Sequence, residues 1–329
     1  MMGGVLAELG KKLVERWLSL LVLPGAFYLA VAAAARTLGH THPFDISRLT
    51  VQITAWATAP TARTVGGQVV MLAAVLTGAA AAGLVAQALG SLVERLYLAT
   101  DWQTWPSWPR QLAGRMTARR QHHWNRVAQE WYRHRTEDAE ARAQGTRTDP
   151  ARLRDARIAL LRIASEEPDR PTWSGDRVHA AAVRLERDYH LDLAALWAHL
   201  WLILPETTRA EIVSARQALT RTTALTAWAL LYFPLTLWWW PASVITAALA
   251  LTSWRRTRTA ADTYATLLEA AARLHARDLA SHFGLDPAGP LTRESGDTLA
   301  LHLSPSPPPL PDNTSAVRQA NQGAMAPDP

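Results

Sequence analysis

Charge drops out of this chain in three places. Uncharged stretches run from Trp17 to Ala35, from Thr64 to Val93 and from Thr222 to Trp254, and a helix needs roughly 20 residues to cross about 30 Å of hydrocarbon. The pattern predicts an all-α integral membrane protein with about four transmembrane helices. Residues 1–95 hold an N-terminal membrane pair with spans near 17–35 and 66–92, and 96–221 an arginine-rich cytoplasmic helical domain. Residues 222–256 make a transmembrane hairpin, 257–285 a cytoplasmic helix, and 286–329 a disordered proline-rich tail.

Flanking charge sets the orientation. Lys11, Lys12 and Arg16 precede the first run, whereas the segment from Arg36 to Val65 holds only Arg36, Arg48, Arg63 and Asp45 as charged residues. Retention of basic residues inside then places both termini and the insert in the cytoplasm, and the Arg36–Val65 segment outside the plasma membrane. A signal-peptide reading, with Ala33-Ala34-Ala35 as cleavage site, competes for the first run, which exceeds the usual roughly 7–15 apolar residues. The third run contains 33 uncharged residues. A single tilted helix would put Arg216 and Arg221 on one side and Arg255, Arg256 and Arg258 on the other; a hairpin keeps all five inside. Pro241 suits the first turn of the returning helix, Trp238, Trp239 and Trp240 suit the outer interface, and the arms number about 17 and 13 residues. In the second run Gly78 with Ala82, or Ala79 with Gly83, makes a small-xxx-small pair open to a neighbouring helix.

From Glu94 to Arg221 there are 21 Arg against 17 Asp plus Glu. Trp102, Trp105 and Trp108 read as an aromatic collar after the second run. Between Arg110 and Arg135, Leu112, Met116, Trp124, Val127 and Trp131 recur at three- and four-residue steps among seven arginines, a basic amphipathic helix. Its Arg110, Arg115, Arg119, Arg120 and Arg126 are the candidate contacts to anionic lipid headgroups; packing on its own domain is the competing reading. Glu137 to Pro150 reads as a linker, and Arg154 to Ala164 as a short amphipathic helix. Val178, Ala181, Leu185 and Tyr189 form one helical stripe; Leu193, Trp197, Leu200, Trp201 and Leu204 form another, ended by Pro205. Trp197 and Trp201 are candidate core aromatics or a partner site. Thr207 or Thr208, with Glu211, suggests a capping box on the helix that follows.

The sequence PTWSG, a charged helix, Tyr189-His190-Leu191-Asp192, the repeated Leu-Trp pair and Leu204-Pro205 resemble a family of uncharacterised multi-pass membrane proteins of actinobacteria and other bacteria. The resemblance continues in ADTYATLLEAAARLHARDLASHFGL, with Tyr264, Leu267, Leu268, Leu274, His275, Asp278 and Leu279, and covers Pro171 to Leu285, about a third of the chain. Asp176 and His190 depart from the Asn and Gly usual in that family. The resemblance implies an architecture and no reaction.

Composition narrows the chemistry. The chain lacks cysteine, which excludes disulfides, thiolate metal sites and cysteine nucleophiles, and its 34 basic residues include only two lysines, Lys11 and Lys12. Heavy Arg and Ala usage reads as high-GC codon bias, and because the charge flanks apolar runs no nucleic-acid partner is expected. His40, His42 and Asp45 are possible cation ligands, as are His122 and His123, but none of these sets makes a specific metal site. Asp176, Glu186, Asp188, Asp192 and Glu206 lie near His179, His190 and His199, with Arg177, Arg184 and Arg187 at hand to pair with the carboxylates. No catalytic residue, cofactor or metal is assigned. Charge-free spans argue against proton relays, while Thr226, Thr236 and Thr246 can line a pore. The layout is similar to the bestrophin-like anion channels, without a matching motif. In the tail, PPPLP is a possible polyproline ligand, and Asn313-Thr314-Ser315 matches a glycosylation sequon by chance. The leading expectation is a non-enzymatic membrane-anchored scaffold meeting an unknown protein partner; an oligomeric channel is the alternative.

Overall fold

A computed structural model of the chain describes residues 22–146, 149–285, 289 and 291–303; the side chain of Thr61 is also left out of the description. The basic N-terminal residues, Trp17 to Leu21, and the tail motifs from Ser304 onward lie outside the described residues. Every regular element described is helical: α1 (Leu23–Leu38), α2 (Ile46–Thr58), α3 (Pro60–Arg63), α4 (Val65–Leu98), α5 (Ser107–Ala143), α6 (Pro150–Ile163), α7 (Trp173–Tyr189), α8 (Leu193–Ile203), α9 (Glu206–Tyr232), α10 (Pro241–His282) and α11 (Arg293–Leu303).

The longest elements organise the rest. α4 has 34 residues, which at 1.5 Å per residue reaches about 51 Å. Among the described residues it alone is long and apolar enough to cross a membrane by its own length and composition. α9 runs to Tyr232, a 3-10 turn over Phe233–Leu237 reverses the chain, and Pro241 opens α10, which packs back along α9. The reversal falls within the third apolar run, yet its arms are helices of 27 and 42 residues that continue far beyond it. Sequence boundaries at 221 and 256 therefore mark changes of composition inside continuous helices.

Residue distribution divides the bundle into two parts. Around α1, α4, the end of α9 and the start of α10, small residues occupy the contacts: Ala79, Gly83, Ala86 and Gly90 of α4 are buried, while Leu72, Val75, Leu76, Leu84, Val85 and Leu92 are exposed. The stripe used is thus the Ala79–Gly83 one, and Gly25 of α1 sits so close to Ala79 that a Cβ would lie 2.0 Å from its carbonyl oxygen. Around α7, α8 and the second half of α10 the pattern is the ordinary soluble one. Leu185, Leu191, Leu196, Leu200, Leu204, Leu268 and Leu279 form a buried core, and the charges lie outside it.

Several expectations give way. α2 and α3 occupy the supposed outer loop, Asp45 capping α2 by accepting from Arg48 N at 3.0 Å. α5 extends to Ala143, leaving only a short connection before Asp149 caps α6. Pro205, without a side-chain hydrogen bond, precedes α9, so the Thr207/Thr208 capping box does not form: proline fixes the entry angle one turn earlier. The tail does not begin at 286, because α11 buries Leu299 in the core and brings Gly296 against the Tyr189 carbonyl.

Trp197 and Trp201 pack against this core with ring centroids 5.8 Å apart, both half-buried. Trp201→Ala is expected to cost about 2 kcal/mol, less than the ~3–5 kcal/mol of a fully buried large aromatic. Thermal unfolding in detergent checks it.

Candidate functional site: the junction at the end of α4

A helix ending at its C-terminus leaves carbonyls without partners and concentrates negative dipole charge there. α4 ends with Ala99 in the left-handed region at φ 43°, buried, a conformation costly for a residue with a Cβ unless its surroundings enforce it. The segment Asp169–Asp176 supplies that enforcement. Thr172 donates from its hydroxyl to Tyr97 O and accepts from Gly175 N at 3.1 Å, so one side chain ends α4 and begins α7. Arg170 Nη1 donates to Ala99 O at 2.8 Å and to Leu98 O at 3.4 Å, putting a cation at the negative end of the helix. Gly175 is required by proximity: a Cβ there would stand 2.6 Å from Leu98 O.

Asp176 holds the clamp in shape. Its Oδ1 accepts from Asp169 N at 2.9 Å and Arg170 N at 2.7 Å, and Arg120 of α5 pairs with the other oxygen. Arg120 also donates to Arg170 O at 2.8 Å and Ile163 O at 3.0 Å. Burial raises the Asp176 carboxyl above its ordinary range, against the opposing pull of Arg120 and the two backbone donors. Trp102 Nε1, Gln121 Nε2 and Trp124 Nε1 donate to Asp169 O, Pro168 O and Ala164 O, so α5 and its lead-in strap the whole connection between α6 and α7.

These contacts revise the sequence reading of α5. Arg110, Arg115, Arg119 and Arg126 are exposed, but Arg120 faces inward and is spent on Asp176. Trp124 and Ala128 share that inward face, leaving Trp108, Leu112 and Met116 exposed. Of the carboxylates near the histidines, Asp176 and Asp188 find partners beyond their own helix, while Asp192 caps its own. Arg177 pairs with Asp262 at 2.5 Å, Arg184 grips Glu269 with two nitrogens, and Arg273 of α10 reaches Asp188 at 2.8 Å. Arg187 pairs with Glu166 at 2.9 Å. Burial alone would raise Glu269, but Arg184 and Arg273 bring it below its usual range, and Arg273 does the same for Asp188. α7 and α10 are thus riveted by charge along the face their leucines do not use.

Above the clamp, hydroxyls fill the crossing of α4, α9 and α10. Tyr97 Oη meets Thr226 at 3.1 Å, Thr226 meets Ser253 at 2.6 Å, Ser253 donates to Thr222 O at 2.7 Å and Thr257 to Thr222 Oγ1 at 3.0 Å. Thr226 is committed to this network and Thr236 to Phe233 O at 2.6 Å. On the far end, His40 bonds Leu237 O at 2.9 Å and Trp239 Nε1 donates to Pro43 O at 2.9 Å; His40, His42 and Asp45 converge on no common point, and no cluster able to hold a metal occurs among the described residues. Trp238 and Trp240 are exposed beside them.

Next to the clamp lies an open cavity of about 600 Å³ between α4, α7, α8, α9 and α10. Arg170, His179, Arg216 and Tyr264 supply its polar wall, and Val178, Ala182, Trp197 and Leu268 its apolar one. Arg216 pairs with Glu94 and stands over the Tyr264 ring, 5.7 Å from its centroid. Burial, reinforced by Arg170, lowers His179 below the usual imidazole value.

Comparisons with protein-family models, with curated proteins and with solved structures found no match.

The sequence pointed to PTWSG as a motif but not to its task. Arg170 carried no signal among so many arginines, and Arg120 was read as a lipid contact where it pairs with the buried Asp176.

Proposed function

We propose that this chain is a multi-pass membrane-anchored scaffold. Its α1, α4, end of α9 and start of α10 lie in the bilayer, and its charged α5–α8 layer stands on the cytoplasmic side. One observation carries this reading: along α4 the bundle is inverted, with small and hydroxyl side chains inside and large apolar ones outside, and a cluster of Tyr28, Trp228, Tyr232 and Leu235 closes its far end. Leu72, Leu84, Leu92, Leu230, Phe233, Val244 and Leu251 are exposed on one continuous bundle. In water so large a patch invites aggregation, whereas lipid contact makes it the stable arrangement, with helices held by close backbone approach and interhelical hydrogen bonds.

Trp254 and the stacked pair of Arg258 over Trp173, 4.3 Å from its centroid, suit the inner headgroup level, and Trp238 and Trp240 the outer one. The exposed face of α5 carries Trp108, Leu112 and Met116 with Arg115, Arg119 and Arg126, apolar and cationic together, which suits anionic headgroups. The clamp makes the cytoplasmic layer rigid with α4, so its outer surfaces can present a fixed face to a protein partner.

The cysteine-free chain makes the test simple. Single cysteines at Thr41, Gln144 and Glu294 all fall on exposed positions. A membrane-impermeant maleimide is expected to label Thr41→Cys on intact cells, and Gln144→Cys and Glu294→Cys only after permeabilisation. Labelling of Gln144→Cys and Glu294→Cys from opposite sides overturns the topology, and recovery of the chain in the soluble fraction overturns the membrane reading.

A further inference from the structure

We propose that the cavity beside the clamp binds one anionic amphiphile, an acidic group joined to an apolar chain, with the acid against Arg170 and Arg216 and the chain against Val178, Ala182, Trp197 and Leu268. Its volume of about 600 Å³ falls in the range of small-ligand sites, ~300–1,000 Å³, and such sites favour the meeting of several elements. Five helices meet here.

The charges select the sign of the ligand. Among the described residues the Arg170 side chain makes no ion pair: it contacts two carbonyls and the imidazole of His179 at 3.3 Å, while Asp169, Asp176 and Asp101 act on it through space. Its Nε is buried without a partner among the described residues. Arg216 is paired with Glu94 and offers an acid its remaining N–H donors. Asp192, the acid at the cavity edge, is turned to its own helix end, accepting from Ala194 N at 2.9 Å. His179 turns Nδ1 to Arg170 and Nε2 toward Asp169 Oδ2 at 3.7 Å, and burial holds it toward the neutral form, so it does not repel an apolar chain.

The walls select the rest. Trp197, Val178 and Leu268 offer surface to a chain that inorganic phosphate lacks, and the cavity is open rather than enclosed. The cavity lies at the end of α4, where the apolar stretch gives way to charge at Glu94 and Arg95. The source of the ligand therefore rests on the membrane reading: an inner-leaflet anionic lipid has its acidic group at this level. A free fatty acid has the same chemistry and needs no bilayer.

Purified full-length protein in neutral detergent, titrated with phosphatidylglycerol, phosphatidylcholine, decanoate or inorganic phosphate, separates these. Phosphatidylglycerol at about 100-fold excess over its Kd is expected to raise the unfolding midpoint by roughly 3–6 °C, with phosphatidylcholine and inorganic phosphate without effect. Ala182→Phe fills the cavity and should abolish the shift while leaving the lipid-free midpoint unchanged or higher; Ala182→Leu should reduce it, and serves where the larger ring does not fold. A shift with decanoate as well supports the site and assigns a free anion; a shift with phosphatidylglycerol alone supports it and assigns the leaflet. Equal shifts with phosphatidylglycerol and phosphatidylcholine, or no shift with either acid, overturn the proposal, as does a full shift in both Ala182 variants. None of these outcomes depends on the cysteine-labelling result.

Discussion

The Arg120→Ala variant is expected to lose about 3–5 kcal/mol at neutral pH, the cost of leaving a buried carboxylate without its charge partner. Asp176 is 5% exposed, and among the described residues Arg120 alone forms an ion pair with it. Its two backbone donors, Asp169 N and Arg170 N, remain in the variant but cannot replace a unit charge. The sign of the pH dependence follows. Burial sets the folded carboxyl above its unfolded value, so its contribution is most favourable when protonated, below the ordinary aspartate range, and is lost as pH rises through the folded value. Removing Arg120 raises the folded value further. The deficit of Arg120→Ala should therefore shrink in acid and be complete at neutral pH, which thermal unfolding across that window measures. In an Asp176→Asn background the buried charge is gone, Oδ1 still accepts both backbone donors, and deleting Arg120 should cost only about 1 kcal/mol for its carbonyl bonds. A deficit independent of pH and unchanged by Asp176→Asn would mean that Arg120 acts by packing alone.

That pair also shows where sequence reading stops. Charge-free runs, a proline after three tryptophans and two leucine stripes are local signals, and from them the helices, the reversal before Pro241 and the core position of Leu185 and Leu200 are legible. Arg120 and Asp176 lie far apart in the chain and look like their neighbours until the fold brings them together. The short connection after α5 was hidden by polarity: an exposed helix needs no long apolar stripe when its fully buried residues are Ala113, Thr117 and Ala128. α2 was hidden for the same reason in reverse, having no buried residue at all. α11 was masked by the polar tail around it, although Leu299 and Leu303, one turn apart, were its sign. Of the site, the glycine and threonine of PTWSG were visible as a motif, while what they meet, the backbone carbonyls of Tyr97 and Leu98, no side-chain pattern advertises, and the same holds for the Leu98 and Ala99 carbonyls that Arg170 takes.

Backbone proximity gives the second large effect, within the inverted part of the bundle. Three glycines there look alike in sequence, and the structure separates them by what a methyl group would meet. At Gly25 a Cβ would stand 2.0 Å from the Ala79 carbonyl oxygen and 2.7 Å from its carbon, backbone against backbone with nothing flexible to yield. At Gly78 the nearest atom is Leu29 Cδ1 at 3.1 Å, the far end of a side chain that can turn aside, and at Gly90 it is Ala224 Cα at 3.7 Å, an ordinary contact. Gly25→Ala is therefore expected to force α1 off α4 and cost about 3 kcal/mol, the upper part of the overpacking range. It should also loosen Tyr28 from Tyr232, whose rings lie 5.3 Å apart edge to face. Gly90→Ala should be neutral or gain up to about 1 kcal/mol, because alanine is the better helix former, with Gly78→Ala close to it. Unfolding midpoints of the three variants in one detergent give the order directly: a Gly25→Ala midpoint equal to that of Gly90→Ala would mean that α1 does not approach α4 through Gly25.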